Sequence, residues 1–222
     1  MSPIVRFGAI STAAIIFLVG QGPSLAAEPA VNAPAALLSE RTSAAQEIAV
    51  FAGGCFWGVQ GVFSHVKGVL ATTAGYDGGA EATARYPIVS TGTTGHAESV
   101  RVVFDPRKVS YADLLRIYFS VVADPTQLNR QGPDVGTQYR SALFPQSAAQ
   151  ASIAKAYIAQ LARTGVYPRQ IVTRIESGHG FFAAESYHQK FMAKNPDYPY
   201  IVINDLPKVE ALKEMFPQRW KA

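Results

Sequence analysis

Cysteine is almost missing from this chain of 222 residues: Cys55 is the only one. No internal disulfide can form, so the folded state must rest on its hydrophobic core. Long apolar runs are missing too. The one at the N-terminus, Gly8 to Gly20, falls short of the ~20 residues that span a bilayer. Histidine is scarce, with four scattered copies, and neither a Cys/His pattern of zinc spacing nor a glycine-rich phosphate loop occurs. Neither a metal nor a nucleotide cofactor is expected. The net charge is only +4, without a Lys/Arg cluster interleaved with aromatics, so nucleic-acid binding has little support. No internal repeats appear.

What is present at the start reads as a secretory signal over residues 1–27. Arg6 lies in a short basic stretch, Gly8 to Gly20 forms the apolar core, and a breaker, Gln21-Gly22-Pro23-Ser24, leads to small residues around Ala26 and Ala27. Cleavage after Ala26 or Ala27 is expected, with an uncleaved N-terminal anchor as the alternative. Loss of Arg6 leaves a net charge of +3. Export follows, with the bacterial periplasm as the expected compartment and no stable membrane association after cleavage. Residues 28–46, rich in Ala and Pro, read as a linker or loosely attached arm. The remainder, 47–222, has the length of one domain with a full core.

Cys55 sits in Gly53-Gly54-Cys55-Phe56-Trp57-Gly58, where the strand-like run Glu47 to Ala52 stops. Two glycines let the backbone turn sharply, and Phe56 to Ser64 can continue as a helix. Cys55 would stand at the helix N-terminus, where unpaired N–H groups favour an anion. A thiolate is then stabilised, and a thiol pKa below its ordinary value is expected. The other reading of a lone cysteine is a small buried hydrophobe. Glycines before the sulfur and two aromatics after it suit an access route and an apolar wall better.

Val69 to Tyr76 reads as a second strand, and Tyr86 to His96 as a short helical turn followed by a glycine-hinged loop. In the next strand, Ala97 to Asp105, alternation places Glu98 on the face of Val100, Val102 and Phe104. A carboxyl among apolar groups is costly to ionise and stays partly protonated near neutral pH, as a general acid must. A glutamate that merely pairs with a nearby amide is the alternative. Further on, Ser110 caps a helix to Val122, and a long polar loop runs from Asp124 to Gly136. Thr137 to Phe144 is a strand candidate, followed by a helix Ser147 to Thr164 and a strand Ile171 to Glu176. Helices around Ala184 to Lys194 and Asp205 to Phe216 complete an alternating pattern that favours a two-layer α/β arrangement.

Three blocks, Gly54-Cys55-Phe56-Trp57-Gly58, Gly92-Thr93-Thr94-Gly95-His96-Ala97-Glu98 and Gly136-Thr137-Gln138-Tyr139-Arg140-Ser141, resemble the signature segments of A-type peptide methionine sulfoxide reductases. Gly75-Tyr76-Asp77-Gly78-Gly79, Gln131-Gly132-Pro133-Asp134-Val135 and Ala184-Glu185-Ser186-Tyr187-His188-Gln189 add to the likeness, which runs from Glu47 to Phe216. The resemblance implies a single α/β (α+β) two-layer sandwich with a mixed sheet and a ferredoxin-like core. It implies thiol-dependent reduction of methionine S-sulfoxide, free or in oxidised proteins. Cys55 matches the family's nucleophile, Glu98 its acid, Tyr86, Asp134 and Tyr139 its polar site groups, and Phe56 and Trp57 the pocket for the sulfoxide methyl.

Many relatives resolve the resulting cysteine sulfenic acid with a second cysteine near the C-terminus, and Asn204 to Ala222 contains none. An external thiol is therefore expected, such as thioredoxin, glutaredoxin with glutathione, or dithiothreitol. A monomer is expected, with no cofactor bound. Two rivals remain: a transferase or hydrolase with a Cys-His-Asp arrangement, needing a histidine beside Cys55, and a non-enzymatic binder of oxidised methionine. Tyr187-His188-Gln189 reads as structural and helical.

Overall fold

A computed structural model describes residues 28–40 and 42–222. The segment expected to be a signal, and its expected cleavage point, lie outside the described residues. The chain forms β1 (Glu47–Gly53), α1 (Phe56–Ser64), β2 (Val69–Asp77), α2 (Tyr86–Val89), β3 (Ala97–Phe104) and α3 (Tyr111–Ile117). There follow the short strands β4 (Arg130–Gln131) and β5 (Asp134–Val135), then β6 (Ser141–Phe144) and α4 (Ala148–Thr164). The chain ends with β7 (Arg174–Ile175), β8 (Phe182–Ala183), α5 (Phe191–Lys194) and α6 (Leu206–Met215).

One mixed sheet has the order β7-β6-β1-β3-β2-β8, in which β6 and β7 are parallel and every other pair is antiparallel. Its central strands, β6-β1-β3-β2, with α1 crossing from β1 to β2 and α3 lying between β3 and β6 in the chain, make the split β-α-β plan of a ferredoxin-like core. The expected two-layer sandwich is this arrangement. Phe51, Val100, Val102 and Phe104 point to the main core, which α1, α3, α4 and α6 complete with Val59, Leu115, Tyr157 and Leu212. Val50, Ala52, Ala142 and Phe144 form a thinner layer on the opposite face, against Phe181.

Several elements are shorter than expected. The strand proposed for Thr137 to Phe144 is extended only from Ser141; a 3-10 turn, Thr137–Tyr139, precedes it. Arg140 enforces this, because its guanidinium binds Thr137 O, Gly95 O and the Glu176 carboxylate, and a straight strand would pull Tyr139 and Arg140 to opposite faces. The helix from Ser110 is α only to Ile117 and then widens into a π turn, Tyr118–Val122. That turn sends the Tyr118 hydroxyl to Ala52 O at 2.7 Å, below the end of β1. Ile171 to Glu176 pairs only at Arg174–Ile175, on the sheet edge. A continuous helix over Ala184 to Lys194 does not form. Lys190 takes a left-handed φ of 54°, and the Gln189 side chain bonds Ala74 O and Ala184 O.

The arm is not loose where it begins. Val31 N–H reaches Ser120 O at 2.8 Å, Arg116 Nε reaches Ala33 O at 2.8 Å, and the Tyr157 hydroxyl reaches Pro34 O at 2.6 Å. Ala33 is completely buried. Burial of small apolar groups plus filled backbone hydrogen bonds holds a segment whose composition alone looks like a linker.

Candidate active site

β1 delivers Cys55 to the first turn of α1. Gly54 has a φ of +88°, a conformation that L side chains rarely adopt, and a Cβ there would lie 2.6 Å from Gln131 Cβ. This close approach makes the turn sharp and leaves Cys55 as the N-cap residue of α1, partly exposed. Three residues after Cys55, Gly58 leaves room for the buried carboxyl of Asp205, which any added Cβ would strike.

Alternation in β3 turns Glu98 inward, where it is buried. Its Oε2 accepts the Phe56 backbone N–H at 3.0 Å, so it pairs with an amide, and that amide belongs to the residue after the thiol. Burial raises the Glu98 carboxyl to about 8; the Phe56 amide opposes the rise, and the nearby charges of Asp134 and Asp205 add to it. Below that pH the group holds a proton.

The expected lowering of the thiol pKa does not occur. Burial pushes Cys55 well above its ordinary range, the carboxylates of Glu98 and Asp205 push it further, and the Trp57 backbone N–H pulls only weakly the other way. The helix terminus is present, but desolvation and neighbouring negative charge outweigh it. Thiolate and carboxylate cannot comfortably coexist here, so Cys55 and Glu98 behave as a coupled pair.

Tyr86 and Tyr139 converge on that pair. Burial first, then the charges of Glu98 and Cys55, raise the Tyr86 hydroxyl to about 12. Tyr139 is raised by burial and by Glu98 and Asp134. Both therefore remain hydrogen-bond donors across the working pH range. Glu185 fixes the turn carrying Tyr86: its Oε1 accepts the Tyr86 N–H at 2.9 Å and its Oε2 accepts the Tyr76 hydroxyl at 2.8 Å. Asp134 lies beside Cys55 and accepts a short hydrogen bond from the Tyr200 hydroxyl.

Phe56 and Trp57 stand in an aromatic enclosure. Trp57 stacks on Phe191 with ring centroids 3.8 Å apart, and its Nε1–H donates to His188 Nδ1 at 3.2 Å. His188 lies 4.9 Å from the Phe56 ring and 4.4 Å from the Tyr86 ring. Burial lowers the His188 pKa, so the ring is neutral, with Nδ1 accepting. It packs against Phe56, Trp57 and Tyr86, on a turn and not on the expected helix. Among the described residues no histidine hydrogen-bonds to Cys55: His188 Nδ1 serves Trp57, and His96 Nε2 meets Ala80 O at 3.0 Å. The Cys-His-Asp rival lacks its base.

All seven residues anticipated for the site are thus gathered around α1's first turn. Tyr200, Asp205 and His188 were not anticipated as members. Tyr200 and Asp205 come from a C-terminal stretch that folds back over α1, and their only signal in the sequence was polarity inside an otherwise apolar run, Tyr200-Ile201-Val202-Ile203-Asn204-Asp205.

The sequence and the fold are similar to those of known proteins. The family described as peptide methionine sulfoxide reductase matches residues 47–220. Peptide methionine sulfoxide reductase MsrA 2 of Mesorhizobium japonicum is 58% identical over 180 residues, 81% of this chain and 92% of its own. Its namesake from Synechocystis is 48% identical over 181 residues, 82% of this chain and 85% of its own. Among solved structures, reduced Mxr1 from Saccharomyces cerevisiae superposes with a TM-score of 0.60 at 30% identity, covering 73% of this chain and 92% of that one. Methionine sulfoxide reductase A of Corynebacterium diphtheriae gives 0.58 at 31% identity, covering 79% and 86%. The chain belongs to the peptide methionine sulfoxide reductase family, A type.

Proposed function

We infer that this protein reduces methionine S-sulfoxide, free or in oxidised proteins, back to methionine, with Cys55 as nucleophile and Glu98 as acid. The observation that carries the reading is the Glu98 carboxyl, protonated below about 8 and hydrogen-bonded to the amide that follows Cys55. A sulfoxide sulfur is electrophilic, but its oxygen leaves poorly unless protonated. Glu98 gives its proton to that oxygen as the Cys55 sulfur attacks, and the thiol proton replaces it on the carboxylate. A sulfur–sulfur bond forms transiently; that bond and the substrate's sulfur–oxygen bond then break as the hydroxyl oxygen bonds to the Cys55 sulfur, which leaves a sulfenic acid and releases methionine. Methionine sulfur is reduced by two electrons and Cys55 is oxidised by two.

Tyr86 and Tyr139 hold the sulfoxide oxygen by hydrogen bonds during the attack, and Asp134 orders Tyr200 at the pocket edge. Phe56 and Trp57 receive the methyl group, where sulfur contacts aromatic rings favourably. With Cys55 as the sole cysteine, the sulfenic acid is attacked by an external thiol, releasing water and forming a mixed disulfide that a second thiol reduces. A small thiol or a redoxin such as thioredoxin meets that requirement. The signal-like composition of residues 1–27 supports placing this repair on an exported pool of proteins, in a bacterial periplasm.

The test is an assay of S and R methionine sulfoxides with dithiothreitol on wild type, Cys55→Ser and Glu98→Gln. Reduction of the S epimer alone, lost in Cys55→Ser, is expected. Activity in Cys55→Ser, or an inert wild type, overturns the reading, and a single equivalent of methionine without turnover favours a non-enzymatic trap.

A further inference from the structure

The arm from Glu28 to Gln46 lies outside the residues that match the family, yet its first described residue reaches the site. Glu28 lines the same recess as Cys55, with Gly132, Asp134, Tyr200 and Lys208. Its Oε1 accepts the Gly132 backbone N–H at 2.8 Å and a short bond from Gln127 Nε2. The Gly132 N–H is shared with Gln127 Oε1 at 3.0 Å, so one carboxyl oxygen gathers both ends of this loop.

Gly132 is flanked by the two residues that shape the Cys55 surroundings from this side. Gln131 is buried, presses on Gly54, and is itself held by Asp124 through its amide at 2.8 and 3.0 Å. Asp134 holds the Tyr200 hydroxyl. Besides these, the loop keeps its shape through the two-residue ladder of β4 and β5, the Gly136 N–H bond to Asn129 O at 2.9 Å and the Arg130 Nη2 bond to Gly132 O at 2.6 Å. The arm behind Glu28 is anchored over α3 and α4 by the bonds of Val31, Ala33 and Pro34 described above. Glu28 is therefore the tip of a fixed strap.

We propose that Glu28 is a positioning residue for sulfoxide reduction, fastening the loop 127–134 so that Gln131 supports the Gly54-Cys55 turn and Asp134 stays against Tyr200. The proposal rests on the reading of Cys55 as nucleophile. The working atom is the acceptor Oε1. Oε2 is buried without a hydrogen-bond partner, so the contact to the loop runs through Oε1 alone. Glutamine keeps the acceptor and replaces alanine's missing contact.

The experiment uses protein expressed from the full chain as wild type, Glu28→Ala and Glu28→Gln. Single-turnover methionine release from the S-sulfoxide, amide deuterium exchange across residues 127–135 and the melting temperature are measured together. Glu28→Ala is expected to slow single turnover about tenfold, the scale on which small displacements act, with faster exchange in that loop and a nearly unchanged melting temperature. Glu28→Gln is expected to stay within about twofold of wild type on the same scale. A wild-type rate in Glu28→Ala, an equal slowing in Glu28→Gln, or slowing that comes with global destabilisation and no local exchange change overturns the proposal. If wild type releases no methionine, the functional reading fails instead, and the exchange comparison still decides whether Glu28 holds the loop.

Discussion

The Glu98 carboxylate and the Phe56 amide are joined by a 3.0 Å hydrogen bond, which ties the middle of the sheet to the first turn of α1 one residue beyond the thiol. The Glu98 carboxyl and the turn that carries Cys55 are thus joined by a single backbone contact, and their protonation is linked.

Rate follows from this link. Glu98 holds its proton below about 8, so single-turnover reduction of S-sulfoxide should be flat near neutral pH and fall as pH rises through that value. Glu98→Gln should be slower by roughly 10²–10⁴-fold, the usual range for loss of a general acid, and should lack the alkaline fall. Stopped-flow or quenched measurements from pH 6 to 10 decide the matter. An identical fall in the glutamine variant would remove Glu98 from the role.

Stability should also fall as pH rises, over a lower range. The folded-state pKa of Glu98, about 8, lies above the ordinary 4.5, so the folded protein binds this proton more tightly than the unfolded chain. Its burial is cost-free below pH 4.5 and destabilises progressively up to pH 8. Glu98→Gln, which keeps an oxygen for the Phe56 amide, should be more stable than wild type at pH 8.5 by roughly 2–5 kcal/mol and similar to it near pH 4.5. Urea melts at the two pH values measure the difference, and a less stable variant at pH 8.5 would contradict it.

Gly54→Ala should damage both fold and activity. The φ of +88° and the 2.6 Å approach to Gln131 Cβ leave no place for a methyl group. A loss of roughly 1–3 kcal/mol is expected from the backbone conformation and the displaced side chain, with slower single turnover because Cys55 is the next residue. Denaturant midpoints and methionine release, compared with Gly165→Ala, where φ is +67° but nothing lies within 4 Å, separate the contact from the backbone term.

Treatment with stoichiometric sulfoxide, without thiol, should leave Cys55 reactive to dimedone, one label per chain by mass spectrometry. No intramolecular disulfide can consume the sulfenic acid, since no other cysteine exists. An unlabelled, thiol-unreactive protein after methionine release would argue for another oxidation product.

The legible part of this molecule was the part made by neighbours in sequence. A strand ending in two glycines placed Cys55, and alternation in β3 placed Glu98, because both follow from local geometry. The thiol's pKa was misread because helix position is local, whereas the burial and the carboxylates of Glu98 and Asp205 that dominate it arrive from β3 and the C-terminal segment. Tyr200 and the arm's attachment were hidden for the same reason. Arg140 shortened β6 through partners at Gly95 and Glu176, far along the chain, which no strand propensity reports.

The Trp57–Phe191 stack is closed at its edge by the Trp57–His188 hydrogen bond, so the Trp57 ring is held from two sides. A wall already ordered freezes no further rotamers when a guest arrives, sparing about 0.5–1.5 kcal/mol of side-chain entropy for each residue that would otherwise have to be immobilised. Binding is then limited by the freedom the guest itself surrenders, so a compact methyl group enters with less loss than a longer, freely rotating alkyl chain.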